Sequence, residues 1–202
     1  MKTLKKILFI LISTIFMISC TAADIDNFLK PETDTEKEYS PRNFTDIFRR
    51  NLDLKEVKKE MKVFLDQIDG KKMDEFSNNK KTGELKEYHK NGKIGLVLNI
   101  QKGILKSFIY YDENGIKRMS FTENEAKAYY KSGKKAVFFK YNKSLNLYNL
   151  ELEDPDEQIA YYEDGRKAME IDSTSKKGRI YHKDGRLFFE YSGSIDNYKR
   201  YD

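Results

Sequence analysis

Tyr111-Asp112-Glu113-Asn114-Gly115 determines how the rest of this 202-residue chain is interpreted, because the same pattern of a tyrosine, three residues and a glycine occurs five times. The other four copies are Tyr88-His89-Lys90-Asn91-Gly92, Tyr129-Tyr130-Lys131-Ser132-Gly133, Tyr161-Tyr162-Glu163-Asp164-Gly165 and Tyr181-His182-Lys183-Asp184-Gly185. Successive tyrosines are 23, 18, 32 and 20 residues apart. A pattern that recurs at a nearly constant interval indicates a repeat architecture, in which equivalent residues occupy equivalent positions.

The repeated glycines predict β-hairpin turns. Four of the five copies end in Asn-Gly or Asp-Gly, the strongest short-range signal for a two-residue type I′ turn, which needs positive φ at both central residues. The turn glycines are Gly92, Gly115, Gly133, Gly165 and Gly185. The sequences beside them alternate apolar and polar residues, as in Leu96/Leu98/Ile100, which is typical of strands. We interpret Gly103, Gly178 and Gly193 as marking the turns between hairpins.

The N-terminus has the pattern of an export signal over residues 1–19. Three lysines precede an apolar stretch of residues 7–18, which is too short to cross a bilayer as a helix. Met17-Ile18-Ser19-Cys20 follows the pattern of a bacterial lipoprotein signal, so Cys20, the only cysteine, is predicted to carry lipid, including palmitate. The alternative is an ordinary secretory signal cleaved near Ala22 or Ala23.

Two further segments precede the repeats. Residues 20–43 contain six acidic residues and two prolines, and we predict a lipidated flexible tether there. Residues 44–69 carry apolar residues at helical spacing, begin near an Asp53/Glu56 capping box and end before Gly70, which predicts one amphipathic helix. This helix caps the first strands of the sheet, or it binds a partner or a membrane surface.

The repeat domain is predicted to span residues 70–202. Its fold class is mainly β: an elongated open antiparallel sheet of repeated β-hairpins with one N-terminal capping helix. Within the 32-residue interval, residues 146–152 resemble another strand and residues 153–157 an acidic turn. The segment 142–160 is therefore either a degenerate repeat or an inserted loop.

Charge and composition argue for a binding protein rather than an enzyme. The net charge of +5 falls to +2 once the three lysines of the signal are removed, and the two signs are well mixed, which does not favour nucleic acid as a partner. His89 and His182 follow the tyrosine of the first and last copies, so they lie about four hairpins apart and we predict surface positions for both. The spacing of Cys, His, Asp and Glu predicts no metal site, catalytic group or cofactor.

The repeat tyrosines are the candidate binding residues. Stacking of the repeats places them in a ladder along one face: Tyr88, Tyr111, Tyr129, Tyr161 and Tyr181. They either provide core-side or cross-strand packing, which suits a half-buried sheet, or form an exposed aromatic strip, flanked by lysine and arginine, that stacks on a peptide or glycan. A register error of one residue exchanges the two faces, so the sequence leaves this choice open.

Lys or Arg follows the turn glycine in four of the five copies. With this Tyr-x-x-x-Gly-Lys/Arg pattern, residues 84–192 resemble MORN repeats, particularly the variant found in bacterial proteins. They depart from the standard repeat in having no Trp and no closing Gly-x-Gly. The resemblance implies a single twisted sheet with a concave face; some bacterial members are antitoxin-like, and eukaryotic ones are linked to membrane or protein association.

Together these features predict a lipid-anchored lipoprotein of the bacterial cell envelope, in the outer membrane if the host has two membranes, since Thr21 follows the cysteine. It would act as a non-catalytic binding or scaffold module with a protein or envelope-polymer partner. An antitoxin or immunity-like protein and an envelope glycan-active hydrolase are the alternatives.

Overall fold

A computed structural model of the chain describes residues 78–142 and 155–201. Their regular elements are β1 (Gly83–Tyr88), β2 (Ile94–Gln101), β3 (Ile104–Tyr111), β4 (Lys117–Thr122), β5 (Glu125–Tyr129), β6 (Lys135–Lys140), β7 (Glu157–Tyr161), β8 (Lys167–Asp172), β9 (Lys177–Tyr181), β10 (Leu187–Ser192) and β11 (Ser194–Arg200). The predicted signal, Cys20, the tether, the helix over 44–69 and the strand over 146–152 lie outside the described residues.

The eleven strands form one open sheet in which spatial order follows chain order from β1 to β11, and every neighbouring pair is antiparallel. The predicted mainly β, open antiparallel sheet of hairpins is therefore confirmed. Strands β6 and β7 pair directly, with Val137 opposite Ala160. No strand therefore lies between β6 and β7 in the sheet, and residues 157–160 of the segment left open by the sequence belong to β7.

The five repeat turns share one geometry, which differs from the predicted type I′ turn. In the first, the amide of Gly92 donates to the carbonyl of His89, and the amide of His89 donates to the carbonyl of Lys93. Among the turn residues only the glycine has positive φ, +80° at Gly92. This combination is a three-residue loop in which a type I turn precedes a left-handed glycine.

The aspartate or asparagine that precedes four of the five turn glycines has a different role from the one predicted. In three turns the side-chain oxygen of this residue accepts a hydrogen bond from the backbone amide of the residue after the glycine, as in Arg166 N to Asp164 Oδ1 at 2.9 Å. The side chain therefore closes the loop locally, as in an Asx turn, and has no need of left-handed backbone itself.

A turn with two left-handed residues occurs elsewhere, between β2 and β3, where Lys102 and Gly103 have φ of 50° and 75°. Gly193 lies between β10 and β11, as predicted, with φ of 83°. The prediction for Gly178 was wrong, because it lies inside β9. A side chain there would collide with the ring of Tyr191, opposite it on β10.

The apolar core lies along one face of the sheet, which we call the core face. Paired residues form rows across the strands, and the alternation of each strand sends every second side chain to this face. The most completely buried large side chains are Tyr110, Tyr130, Phe121, Phe139, Phe189, Leu105 and Val137. The opposite face, which we call the mixed face, carries a row that includes Ser120, Lys127, Phe138, Ile159 and Glu170.

Each of the five repeat hairpins also contains a β-bulge directly beside its repeat tyrosine. In the β3–β4 hairpin, Tyr110 is opposite Met119 but Tyr111 is opposite Lys117, so Arg118 is left over. The residues left over in the other four hairpins are Gly95, Ala136, Ala168 and Phe188. Because a bulge redirects side chains, it brings the lysine at the start of the second strand onto the same face as the repeat tyrosine.

Candidate binding surface

The repeat tyrosines lie on the mixed face. Tyr110, directly before Tyr111, is fully buried on the core face, so Tyr111 points to the opposite side. Tyr88, on the edge strand, is 53% exposed, whereas Tyr111, Tyr129, Tyr161 and Tyr181 are half-buried. The structure therefore places the repeat tyrosines outside the apolar core, where all but Tyr88 are half-buried. Their use as a binding strip stays a prediction.

Lysines alternate with the central tyrosines. In pairing order the positions are Tyr111 on β3, Lys117 on β4, Tyr129 on β5, Lys135 on β6 and Tyr161 on β7. We call these five residues the tyrosine–lysine row. The tyrosine and lysine of one hairpin are opposite each other, and the next hairpin continues the alternation.

Each lysine of the row contacts the tyrosine of the following hairpin through the face of its ring. Lys117 Nζ lies 4.6 Å from the ring centroid of Tyr129, and Lys135 Nζ lies 4.4 Å from that of Tyr161. These are cation–π distances, and such contacts stabilise by about 0.5–1 kcal/mol at exposed sites. They orient the ammonium groups along the row and link one hairpin to the next.

The two lysines of the row differ from their neighbours in having no acidic partner within the described part of the chain. Lys127, on the same face, pairs with Glu125 at 2.5 Å. Lys167, equivalent to Lys135 one hairpin later, pairs with Glu170 at 2.6 Å. Among the residues that the structure describes, the groups that contact the ammonium groups of Lys117 and Lys135 are therefore aromatic rings rather than carboxylates.

Phe138 completes the middle of this surface. It is half-buried on the mixed face between Lys127 and Lys135, whose Nζ atoms lie 5.5 and 5.6 Å from its ring centroid. With Tyr129 and Tyr161 it forms an aromatic centre on β5 to β7. Aromatic groups near the middle of a polar surface are typical of protein interaction sites.

Beyond the tyrosine–lysine row, the last repeat tyrosine belongs to an ion-pair network. Tyr181 donates a hydrogen bond from its hydroxyl to Glu170 Oε1 at 2.6 Å, and Arg179 Nη1 lies 3.3 Å from the same oxygen. Burial and the bond to Glu170 raise the pKa of Tyr181. Although its burial acts in the other direction, hydrogen bonds from Lys167, Tyr181 and Arg179 lower the pKa of Glu170. At this end of the mixed face, Glu170 is therefore paired with the cations beside it.

The residue after the repeat tyrosine points to the core face, and in three of the five repeats it forms a hydrogen bond to the next repeat hairpin. His89 Nε2 donates to the carbonyl of Tyr111 at 2.8 Å, and the hydroxyl of Tyr162 donates to the carbonyl of Tyr181 at 2.7 Å. Tyr130 donates to the carbonyl of Tyr161 at 2.5 Å in the same way. These bonds join one hairpin to the next and keep the repeat tyrosines in register.

The predicted surface position of the histidines was therefore wrong. His89 is only 9% exposed, and His182 is half-buried with its ring 4.9 Å from that of Phe188. The reason is the strict alternation of the strand: a half-exposed tyrosine on one face places the next side chain on the other. The two histidines lie in the first and last repeat hairpins, on β1–β2 and β9–β10, so they do not form one site.

A polar cleft of about 480 Å³ lies at the opposite ends of β6 to β9. Its carboxylates are used by the loops around it: Asp156 Oδ2 accepts from the amide of Asn142 at 2.6 Å, and Asp172 accepts from Ser175. No group of three or more metal-ligating side chains was found among the described residues. The cleft thus has an evident structural role.

The lysines of the row were missed by the sequence analysis. We noted the basic residue directly after the turn glycine, but those at 166 and 186 pair with the aspartate of their own turn. The informative position is the second after the glycine, which holds lysine in the three central repeats, at 117, 135 and 167. Only the bulge makes this position a neighbour of the tyrosine.

Comparison with known proteins gives no family assignment. No protein-family model and no curated sequence matches the chain. Solved structures that resemble part of it include the GtfA/B complex bound to UDP and GlcNAc (13% identity, TM-score 0.25, 54% of this chain) and a mutant of S. aureus TarM in complex with UDP (11% identity, TM-score 0.28, 62% of this chain). This chain spans 22% of the length of each.

A third similar structure is a protein of unknown function from Bacteroides fragilis, with 11% identity and a TM-score of 0.15, over 62% of this chain and 91% of that one. Separately, the part of the chain that the structure describes contains no helix long and apolar enough to cross a membrane.

Proposed function

We propose that this chain is a cell-envelope lipoprotein, acylated at Cys20, that acts as a non-catalytic binding and scaffold module through a MORN-like repeat sheet. The sequence motif at the N-terminus supports the anchor and the location. The repeated hairpins support the MORN-like assignment. The partner is a protein or an envelope polymer, bound on the mixed face.

The observation that supports binding on this face is the tyrosine–lysine row. Its lysines are unpaired with carboxylates within the described residues, and they stack on accessible tyrosine rings. A cross-strand pair with an acid stabilises a lysine on a sheet, as at Lys167 beside Glu170. Two cations on one face that no carboxylate of the described residues pairs with form a surface suited to an anionic partner.

The experiment is capture of the tagged protein from its own crosslinked envelope, comparing the natural chain with a Lys117→Gln/Lys135→Gln variant. Glutamine removes the charge while keeping most of the side chain. Lys167→Gln is the matched control, because that lysine holds the same place in the next hairpin but pairs with an acid.

We expect one partner in near-stoichiometric amount with the natural chain and the control, and at least tenfold less with the double variant. Equal recovery from all three proteins, each with an unchanged melting temperature, would reject the row as the binding site.

A further inference from the structure

We infer that the tyrosine–lysine row binds an extended acidic peptide in the polyproline II conformation, with carboxylates three residues apart. This inference rests on the proposed function, since it names the ligand of the same face. It is carried by the spacing of the row, by its aromatic groups and by two lysines that no carboxylate of the described residues pairs with.

The spacing of the two lysines selects the shape of the ligand. Lys117 is on β4 and Lys135 on β6, so they are two strand steps apart, about 9.6 Å at the usual 4.8 Å between strands. A polyproline II helix advances about 9.3 Å in one turn of three residues. Residues of a β-strand that share a face repeat at about 6.8 Å and then 13.6 Å, and neither distance matches the spacing of the lysines.

The tyrosines repeat with the same period as the lysines. Tyr111, Tyr129 and Tyr161 occupy β3, β5 and β7, although the last two are 32 residues apart in sequence. An extended chain that crosses the strands thus meets a ring and then a cation at each of its turns. Polyproline II peptides characteristically bind in grooves lined by aromatic side chains, and they lose little conformational entropy because the helix is preformed.

The charge of the surface selects an acidic ligand. Two acids on the mixed face already have partners: Glu125 pairs with Lys127, and Glu170 with Lys167 and Arg179. Lys117 and Lys135 have no acidic partner among the described residues, and their contact with a ring leaves the ammonium group able to donate hydrogen bonds. A glutamate at every third position would place one carboxylate at each lysine.

The test measures binding of fluorescently labelled peptides to the full-length protein extracted in mild detergent. The probe is a peptide of four Glu-Pro-Pro units. One control has the same composition with its four glutamates adjacent, and a second replaces each glutamate by lysine. Inorganic polyphosphate, whose charges are much more closely spaced, serves as a competitor that represents an anionic polymer.

We expect the regular probe to bind saturably, at least fivefold more tightly than the peptide with adjacent glutamates, and the lysine peptide not to bind. Lys117→Gln/Lys135→Gln should weaken binding of the probe about tenfold or more, and Lys167→Gln less than twofold. Affinity should fall as salt rises from 50 to 300 mM, because the ion pairs are exposed to solvent.

Three results would overturn the inference. Equal affinity for regular and adjacent glutamates would remove the period as a determinant. Tighter binding of polyphosphate than of any peptide would replace the peptide by an anionic polymer. Absence of binding, while capture from the envelope still depends on Lys117 and Lys135, would reject the acidic peptide and leave the proposed function standing.

Discussion

The ring of Tyr191 on β10 lies over the backbone of Gly178 on β9, its partner in the sheet. A Cβ added at Gly178 would be 2.1 Å from Tyr191 Cε1, closer than two non-bonded carbon atoms can approach. The glycine therefore creates the space that the tyrosine fills. A glycine inside a strand that accommodates an aromatic ring from the neighbouring strand stabilises the pair through the area that the ring buries.

Gly178→Ala should lower the free energy of unfolding by about 1–3 kcal/mol, because the added methyl group overpacks a filled position. Adding Tyr191→Leu should recover part of this loss by removing the obstructing ring atoms. Urea unfolding of the four proteins of this double-mutant cycle provides the measurement. Additive effects of the two substitutions would contradict the contact between them.

Gly115→Val should also lower the free energy of unfolding by about 1–3 kcal/mol, but here the cause is strain in the backbone at residue 115. Gly115 has φ of +82°, which a β-branched residue adopts only with strain. Its Cβ would lie 3.7 Å from Lys93 Cδ, an ordinary contact distance. Lys93→Ala should consequently give no rescue in the same urea assay. An unchanged midpoint for Gly115→Val would show that the turn tolerates another conformation.

Tyr162→Phe should cost about 0.5–1.5 kcal/mol of stability, because it removes the hydrogen bond to the carbonyl of Tyr181. Tyr129→Phe is the matched control: its hydroxyl lies on the mixed face, 3.3 Å from the hydroxyl of Ser120. Thermal unfolding should show a clear decrease in melting temperature for the first variant and little change for the second. Similar melting temperatures for the two variants would mean that the hydrogen bonds between hairpins contribute no more to stability than hydrogen bonds on the surface.

Stability should fall in alkaline solution between about pH 10 and pH 12. Burial, followed by the nearby Asp164, raises the pKa of Tyr162 to about 12, and burial raises the pKa of Tyr130 as well. Above the unfolded value near 10 the unfolded chain loses phenolic protons that the folded chain keeps. The unfolded state is thereby favoured as pH rises, until the folded groups also titrate.

Chemical unfolding at intervals of half a pH unit from pH 9 to 12, with phenolate absorbance followed in parallel, would measure this decrease in stability. Tyr162→Phe should make the dependence on pH shallower, since one of the shifted groups is removed. A slope identical to that of the natural chain would show that Tyr162 titrates normally in the folded protein.

Cys20→Ser should release the protein from the membrane fraction, because serine cannot form the thioether to the lipid. Fractionation of cells that express the natural and substituted chains gives the readout, and incorporation of labelled palmitate gives a second one. Should the Cys20→Ser protein still sediment with membranes, the anchor lies elsewhere and the lipoprotein part of the proposal fails.

The sheet was predictable because its signal is local and repeated. Tyr-x-x-x-Gly places a turn at Gly92, Gly115, Gly133, Gly165 and Gly185, and period-two alternation supplies the strands. The turn type was not predictable in this way, because Asn-Gly and Asp-Gly occur both in two-residue turns and in the longer loop seen here. The pairing of the flanking strands decides which of these two turns is formed.

The face of each tyrosine was left open for the same reason. Exchange of the faces needs a shift of only one residue, and each of the five repeat hairpins contains a bulge that makes such a shift. The positions of the cations at 117 and 135 follow from where those bulges fall.

The sequence by itself determined that this protein is an array of antiparallel hairpins, since turn residues and alternation act over a few neighbouring positions. Only the tertiary structure decided that Lys117 meets Tyr129 and that Lys135 meets Tyr161, across strands from different hairpins. The physical reason is the pairing register. Hydrogen bonds between strands and burial of the core face fix it together, and no short stretch of sequence contains both.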